Sequence, residues 1–229
     1  MTSKSHTLNQ NRTIHLVVAN HLRQAIINGQ LKPGQKLIQD EIAAEYGISR
    51  MPVREAFRTL AAEGYVMIYP HRGVIVTELS TAEIEEIFSI RILLEGWATR
   101  LAAASITADS LARLNDLIDE MEISQATPAR YHVLNTAFHD TIFKAAQQPR
   151  LRALVMNLRN VVEPYLRIYL SGEGRIQRAH SVHKALCEAL AARDAEKAEQ
   201  LAKDHLRQAL DALLSNLPHV AELPDADFE

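Results

Sequence analysis

The chain has almost no cysteine and no long apolar run. Cys187 is the single cysteine among 229 residues, so an internal disulfide framework is excluded and a reducing cytoplasm suits the chain. No apolar run approaches the roughly 18 residues that a membrane-spanning helix needs. The polar start MTSKSHTLNQNR lacks the apolar core of a secretion signal. We therefore expect a cytoplasmic protein that does not contact a membrane.

The net charge of the chain is also small, but the charged residues are unevenly distributed along it. The whole chain has a net charge of −3, and 47% of its residues are hydrophobic, enough for one large domain or two modest ones. Residues 1–78 carry nine Lys or Arg against six Asp or Glu, whereas the remainder carries sixteen against twenty-two. A mildly basic first third favours, weakly, a polyanionic partner for that part of the chain.

Hydrophobic periodicity predicts a small mixed domain over residues 12–78, after a flexible tail at 1–11. Helices are predicted at 14–29, 39–46 and 50–63. The stretch LKPGQKL, with proline before glycine, predicts a turn between the first two helices. Apolar residues that alternate on both sides of PHRG predict two short strands joined by a tight tip.

The rest of the chain is rich in alanine and leucine and shows no strand pattern. Capping signals, among them STAE at 80–83 and Thr127 before Pro128, predict a helical domain over residues 79–217 and a tail at 218–229. The six predicted helices run from about 81 to 104, 107 to 123, 128 to 147, 149 to 170, 176 to 192 and 194 to 217. Six helices form an all-α bundle with its own core.

Small and apolar residues in the first domain have the spacing of a helix-turn-helix. With Gln39 as position one, Ala43 is position five, Gly47 position nine and Val53 position fifteen. A small residue at five lets two helices approach, glycine at nine permits the turn, and an apolar residue at fifteen packs between the helices. The predicted fold class is therefore mainly α, with an N-terminal winged helix-turn-helix domain and a C-terminal all-α helical bundle.

Three arginines recur every fourth residue on the second helix of this motif. Arg50, Arg54 and Arg58 share one face near the helix start, where backbone N–H and guanidinium groups suit phosphates and guanine edges. An arginine face that is only solvated is the alternative. The predicted DNA-binding residues are Ser49, Arg50, Met51, Pro52, Arg54, Arg58 and, at the hairpin tip, His71, Arg72 and Gly73.

The stretch LKPGQKL…DEIAAEYGISRMPVREAFRTLAAEGYV…HRGVIV resembles the winged-helix domain of GntR-family bacterial transcription regulators. The core SRMPVREA carries most of this resemblance. The helical second half resembles the FadR-type effector domain called FCD, and its six helices fit the shorter, VanR-like variant. The resemblance implies a homodimer that binds a pseudo-palindromic operator and responds to a small organic or sugar acid.

Four side chains of the second half have a spacing that suits a metal ion. Asn135 and His139 lie four residues apart on one predicted helix, and His183 and His205 lie on two later helices. Three imidazoles and one oxygen suit Zn²⁺, Ni²⁺ or another divalent ion, although a lone histidine on a helix is more often a surface residue. Many FCD domains bind a metal through this pattern, so the resemblance implies a metal centre at these four positions.

Further polar residues of the second half are open to two interpretations. Arg91 lies in the apolar stretch SIRILLEGWATRLAA, where it can reach the surface, pair with Glu95 or bind a carboxylate through two hydrogen bonds. The resemblance favours a carboxylate effector at Arg91, with Tyr169 as a weaker pocket residue. His132 and His180 fall outside the metal pattern and are expected at the surface or beside the ligands.

These features predict a DNA-binding transcriptional regulator controlled by a carboxylate effector beside a divalent metal ion, and not an enzyme. In one alternative the metal ion itself is the signal. In a second alternative the helical domain is a metal-dependent enzyme, for which Asp140 and Glu95 are the nearby carboxylates, neither of them clearly aimed at the metal. Trp97 is expected in the core of the helical domain.

Overall fold

The computed structural model describes residues 3–124, 127–170 and 175–215. Within these ranges the chain forms nine helices and three short strands, and it divides between Leu79 and Ser80 into two compact units. The predicted fold class, mainly α with a small mixed unit ahead of a helical one, is confirmed. None of the described helices is both long and apolar enough to cross a membrane.

The first unit contains three helices and a three-stranded antiparallel sheet. In chain order its elements are α1 (Ser3–Ile27), β1 (Lys36–Leu37), α2 (Gln39–Glu45), α3 (Arg50–Ala62), β2 (Val66–Tyr69) and β3 (Gly73–Val76). The strands lie in the order β1-β3-β2, and β2 and β3 form the predicted hairpin. The core lies between α1, α3 and the sheet, and its most buried side chains include Ile26, Val53, Phe57, Leu60 and Val76.

Two elements of this unit differ from the sequence prediction. α1 begins at Ser3, so the helix includes most of the residues that were predicted as a flexible tail. β1 lies in the stretch that was predicted only as a turn, and its Leu37 pairs with Val74 of the hairpin. A strand of two residues is too short to show the alternation by which strands are found in a sequence.

The second unit is a bundle of helices. Its described elements are α4 (Thr81–Ser105), α5 (Ala108–Ile123), α6 (Pro128–Ala145), α7 (Pro149–Leu170), α8 (Arg175–Ala191) and α9 (Ala195–Leu214). α4 packs against α6, α7 and, over the greatest length, α9. The core is apolar and aromatic, and its fully buried side chains include Phe88, Leu114, Tyr131, Phe138, Phe143 and Leu190.

Side-chain caps define several of the helix starts, as the sequence predicts. Ser80 accepts a hydrogen bond from the N–H of Glu83, and the Glu83 carboxylate accepts one from the N–H of Ser80, so α4 begins with a capping box. The side chains of Thr107 and Asp194 accept hydrogen bonds from the N–H groups of Ser110 and Lys197, at the starts of α5 and α9. Thr127 precedes α6 but its side chain makes no capping hydrogen bond.

Trp97 departs from the predicted core, since 50% of its surface is exposed. It lies on α4 together with exposed Ile90 and Leu93, on the side of the helix away from buried Phe88 and Glu95. Apolar residues occur around most of α4, so the sequence alone does not show which of them face the bundle.

Candidate nucleic-acid interface and metal centre

The helix-turn-helix residues lie where the sequence motif requires them. Ala43 and Val53 are buried between α2 and α3. Gly47 has a φ of 62° in the turn, with no atom near the position of a Cβ, so the positive φ and not lack of space favours glycine there. α3 therefore has one buried face, through Phe57 and Leu60, and one exposed face.

The three arginines of α3 lie on its exposed face and contact acidic neighbours. The Nε atom of Arg50 lies 2.6 Å from Oδ1 of Asp40, and Nη1 of Arg58 donates to Glu55 over 2.9 Å. Arg54 approaches Glu55 only to 3.9 Å. Exposed ion pairs contribute about 0–1 kcal/mol, so these guanidinium groups can exchange their partners for phosphates at little cost.

Three other predicted residues at the start of α3 have different environments. Ser49 occupies the N-cap position, but its side chain makes no capping hydrogen bond. Its exposed hydroxyl is therefore available to a phosphate. Met51 is exposed and can reach a base edge. Pro52 is buried, so its side chain belongs to the core of the unit and does not face the predicted DNA surface.

The hairpin tip presents His71, Arg72 and Gly73 at an exposed turn. His71 and Gly73 both have positive φ, 65° and 91°, and the N–H of Arg72 donates to the carbonyl of Pro70 over 2.8 Å. The positive φ of Gly73 explains why this turn needs a glycine, and His71, two residues earlier, also has a left-handed backbone conformation. The tip is narrow and carries a cation, which suits a minor groove.

The structure brings three predicted metal ligands of the helical unit together. One ring nitrogen of each of His139, His183 and His205, from α6, α8 and α9, lies within 4.8 Å of the others. The ring centroids are 5.3 to 5.7 Å apart. Asn135 lies one turn before His139 on α6, and it lines a cavity that His139 and His205 also line. The four side chains therefore lie in one region of the bundle.

The environment of these histidines keeps their rings neutral. Burial, with Arg159 and the neighbouring imidazoles adding repulsion, lowers the pKa of His139 and His183 well below 6.5. Burial and Arg159 lower the pKa of His205 to about 4. His183 is fully buried, and neither of its ring nitrogens has a hydrogen-bond partner among the described residues. A neutral ring nitrogen without a partner has a lone pair available for a metal ion.

A buried ion triplet lies beside the histidines. Nε of Arg91 donates to one oxygen of Glu95 over 2.7 Å, and Nη1 of Arg159 donates to the other over 2.8 Å. Burial alone would raise the pKa of Glu95, but the two guanidinium groups hold it below its ordinary value. Nη1 of Arg91 and Nε of Arg159 are buried and find no partner among the described residues. The predicted pairing of Arg91 with Glu95 thus leaves an N–H group of Arg91 for a ligand.

One cavity joins the triplet to the histidines. Its volume is about 30 Å³, and its lining residues are Arg91, His132, Asn135, His139, Arg159, Leu166, Ala179, His205, Leu206 and Ala209. Leu206 and Ala209 follow His205 on α9, so they form an apolar part of the cavity wall near His205. Tyr169, the other predicted pocket residue, has a side chain outside the described part of the structure.

Sequence reasoning did not anticipate Arg159 in this region, nor the burial of His132. Arg159 is buried on α7, on the helix face that Val155 and Val162 define, and a cation on such an apolar face is a signal that could have been noticed. His132, predicted at the surface or beside the ligands, is buried, lines the cavity and contacts Glu163. Neither carries a local motif, because each is buried by packing between helices.

His180 is also buried, so of the two expected positions, at the surface or beside the ligands, the surface position is wrong. Its Nε2 lies 3.4 Å from Oε2 of Glu122, an exposed carboxylate that also contacts Lys184 at 3.2 Å. His180 does not line the cavity. It lies one turn before His183 on α8, so it supports the position of that helix and is not a fourth ligand in this arrangement.

Comparison with known proteins identifies both units. A family model described as "Bacterial regulatory proteins, gntR family" matches residues 15–76, and a model described as "FCD domain" matches residues 86–208. The chain belongs to the gntR family of bacterial regulatory proteins. It joins a gntR DNA-binding domain to an FCD domain, and it is a DNA-binding transcriptional regulator, as SRMPVREA and the helix-turn-helix spacing predict.

Relatives of the regulator match it over most of its length. A probable D-xylose utilization operon transcriptional repressor of Paenarthrobacter nicotinovorans is 30% identical over 206 residues, 88% of this chain and 91% of that protein. The gluconate operon transcriptional repressor of Bacillus subtilis (strain 168) is 29% identical over 151 residues, 65% of this chain and 62% of that protein. The solved structure of E. coli McbR/YncC is similar with a TM-score of 0.76 at 27% identity, covering 88% and 97% of the two chains.

The regulator is not an enzyme, since its families and relatives are transcriptional regulators. The two carboxylates considered for catalysis are both engaged in ion pairs. Asp140 accepts two hydrogen bonds from Arg152, over 2.6 and 3.0 Å, and lies 2.9 Å from Nζ of Lys144. Glu95 is held by its two guanidinium groups. Neither carboxylate is placed to accept or supply a proton in a reaction at the histidines.

The exposed face of α3 leads to a prediction for DNA binding. Arg54→Ala should weaken specific operator binding by about 1–3 kcal/mol, because a guanidinium that contacts a guanine edge is lost. Arg113→Ala, a matched exposed arginine of the helical unit that contacts Glu120, should leave it unchanged. Fluorescence anisotropy with an operator duplex and a scrambled duplex measures both. Unchanged affinity of an Arg50→Ala/Arg54→Ala protein would show that α3 is not the recognition helix.

The buried neutral imidazoles lead to a prediction for pH. The unfolded chain protonates these rings near pH 6.5, whereas the folded chain keeps His205 neutral until about pH 4. The unfolded state therefore binds more protons as the pH falls from 7 toward 4. The free energy of unfolding of the metal-free helical unit should fall over this range, by up to about 1.4 kcal/mol per pH unit for each imidazole. Denaturant titrations in the presence of a chelator measure this slope.

Two variants isolate the contribution of one ring to that slope. His205→Gln removes one of the three imidazoles and should make the pH dependence shallower. His71→Gln removes a histidine that is exposed at the hairpin tip, and the slope should not change. An equally steep curve for H205Q would mean that this ring does not stay neutral in the folded protein.

Proposed function

We propose that the regulator binds its operator as a homodimer and that a small carboxylate, held beside a divalent metal ion in the FCD domain, controls this binding. One observation carries the proposal: three neutral imidazoles, of which His139 and His183 are buried and His205 is half-buried, meet within 4.8 Å of one another. The cavity that His139 and His205 line is also lined by Arg91 and Arg159. We place the protein in the FadR subfamily, in the VanR-like group with six FCD helices.

The donor set fits a borderline divalent ion. Three neutral ring nitrogens and the side-chain oxygen of Asn135 are ligands that Zn²⁺ and Ni²⁺ accept. A ring nitrogen of His183 would gain a partner in the metal, which supports the assignment because a buried polar atom without one costs about 1–3 kcal/mol. The ion would join α6, α8 and α9, since each of these helices supplies at least one ligand.

The charges around the cavity favour an anion as the further ligand. The two arginines and the carboxylates of Glu95 and Glu163 cancel formally. Three imidazoles and an amide are neutral, so a bound divalent ion would bring two uncompensated positive charges into the interior. A carboxylate at an open metal position would offset part of that charge, and the unpaired N–H groups of Arg91 and Arg159 could donate to it.

The size of the cavity favours a coupled change of shape. About 30 Å³ holds an ion and one or two waters, since a single water needs roughly 10–15 Å³. A sugar acid is larger, so the walls of the cavity must move apart when it binds. A ligand that binds one shape of the domain much better than another shifts the protein toward that shape.

One relative is named for the operon of a sugar acid, which agrees with this ligand class, and another for the operon of a neutral sugar. The first is a gluconate operon repressor and the second a probable D-xylose utilization operon repressor. We propose a small organic or sugar acid for this chain as well. Two DNA-binding units in a homodimer would read the two halves of a pseudo-palindromic operator.

Removal of the metal should destabilise the helical unit and leave operator binding by the DNA-binding unit intact. After reconstitution with Zn²⁺ or Ni²⁺, wild-type protein should retain about one ion per chain and melt at a higher temperature than chelated protein. His183→Ala should lose the ion and this stabilisation, and it should still bind the operator, because the DNA-binding unit does not contain the site. Elemental analysis and melting curves measure the first two effects. The metal centre would be contradicted if reconstituted wild-type protein retained no metal and its melting temperature did not change on addition of chelator.

The effector proposal is tested on the metal-loaded protein. Gluconate and related acids should change operator affinity in the wild type. Arg91→Lys should reduce this response while retaining the metal, because lysine keeps the charge but lacks the planar guanidinium fork that places separate N–H groups toward Glu95 and toward a carboxylate. Arg113→Lys is the exposed control. If Zn²⁺ or Ni²⁺ alone produces the full change in operator affinity, the ion is the signal and the carboxylate proposal is wrong.

A further inference from the structure

The cavity in the helical unit is lined by two chemically different groups of side chains. One group carries charge or can bind a metal ion, and its members are Arg91, Asn135, His139, Arg159 and His205. The other group is aliphatic, and its members are Leu166, Ala179, Leu206 and Ala209. A further lining residue, His132, contacts Glu163 through its Nε2. A ligand in this cavity would therefore meet polar groups in one part and an aliphatic wall in another.

The two alanines of the aliphatic wall lie on the same side of the histidines. Ala179 lies one helical turn before His183 on α8, and Ala209 lies one turn after His205 on α9. α8 and α9 are joined by residues 192–194 and pack against one another, so the two helices run in opposite directions. Four residues of a helix rise about 6 Å, so the alanines lie about that far along the bundle from the histidines.

Leu166 extends this wall toward one end of the bundle. It lies four residues before the end of α7, and Ala179 lies four residues after the start of α8. Arg159 lies seven residues before Leu166 on α7, or about two helical turns nearer the histidines. The cavity therefore runs from the arginines and histidines to an aliphatic end, which lies where α7 ends and α8 begins.

We propose that the effector is a short monocarboxylic acid whose carbon chain beyond carbon 2 is aliphatic and carries no hydroxyl groups. This inference rests on the proposed function, in which a carboxylate lies beside Arg91 and the histidines, and it narrows the ligand class from small organic or sugar acids to aliphatic ones. An extended chain covers about 3.3–3.6 Å in three backbone bonds, so about 6 Å corresponds to about five bonds. An acid of about four or five carbons therefore reaches the wall at Ala179 and Ala209.

The chemistry of the wall favours an aliphatic chain over one with several hydroxyl groups. The side chains of Leu166, Leu206 and the two alanines neither donate nor accept hydrogen bonds, and helical backbone groups bond within their own helix. The Nε2 atom of His132 is already in contact with Glu163. A hydroxyl group buried against this wall would lose its hydrogen bonds to water without replacing them, whereas a methyl or methylene group gains from the same burial.

Two acids of equal length test this preference. 2-Hydroxybutanoate and threonate share the same carbon chain, carboxylate and 2-hydroxyl group, and threonate alone carries hydroxyl groups on the last two carbons. Isothermal titration calorimetry on the Zn²⁺-loaded full chain without DNA measures the affinity of each acid. 2-Hydroxybutanoate should bind about tenfold more tightly, or better, because the additional hydroxyl groups of threonate lose their partners at the wall.

The outcomes of this titration separate the inference from the proposed function. Threonate that binds as tightly as 2-hydroxybutanoate, or more tightly, would overturn the aliphatic chain and leave the carboxylate effector in place. If neither acid binds, and gluconate does not bind either, the carboxylate effector itself is wrong and the inference fails with it.

A pair of serine variants on α9 tests where the chain of the acid lies. Ala209→Ser places a hydroxyl group in the wall, where its oxygen can accept a hydrogen bond from threonate, and it should reduce the preference for 2-hydroxybutanoate by about threefold or more. Ala198→Ser makes the same change at a buried alanine of α9 outside the cavity lining, and it should keep the wild-type preference. Melting curves confirm that both variants fold. Equal preferences in A209S and A198S would overturn the contact between the acid and Ala209.

Discussion

Glu95 is held between the guanidinium groups of Arg91 and Arg159 in the interior of the helical unit, and the arrangement of the cavity depends on this triplet. Removing one partner of such a buried pair costs about 3–5 kcal/mol, whereas well-packed apolar residues in its place are often neutral or stabilising. Packing alone therefore does not explain the triplet. The proposed binding role would explain it, because the triplet holds two N–H donors at fixed positions beside three neutral imidazoles.

α4 contributes both to the cavity and to the surface of the helical unit. Its inner face supplies Arg91 to the cavity and Glu95 to the triplet, and its outer face exposes Leu93 and Trp97. A helix is stiff along its length, so a ligand that moves the inner face also moves the outer one.

The sequence predicts best those structural features that a single short stretch of residues determines. The helix-turn-helix depends on Ala43, Gly47 and Val53 at fixed intervals, and the start of α4 depends on Ser80 and Glu83, so each can be read from one segment. Other features depend on which helices meet. Arg159, His132 and Trp97 each lie in apolar stretches, and only the packing of α4, α6 and α7 decides that the first two are buried and the third exposed. The four candidate metal ligands lie between these cases, because spacing suggested them and family resemblance selected them.

The energetics of the cavity set a condition on the control of DNA binding. A ligand can shift the domain between two shapes only by the difference in its affinity for them, and a shift from 1:99 to 99:1 needs about 5.5 kcal/mol. A carboxylate that bridges the metal and Arg91 can supply a difference of this order, because charge-assisted hydrogen bonds contribute about 1.5–3 kcal/mol each and are lost together when the cavity closes. In the proposed homodimer, operator binding would be sensitive to the result, since half-sites lie about one helical turn of DNA apart. Two recognition helices whose separation changes by a few ångströms cannot both stay in register, so under this proposal a modest change in the helical domain would be enough to alter operator affinity.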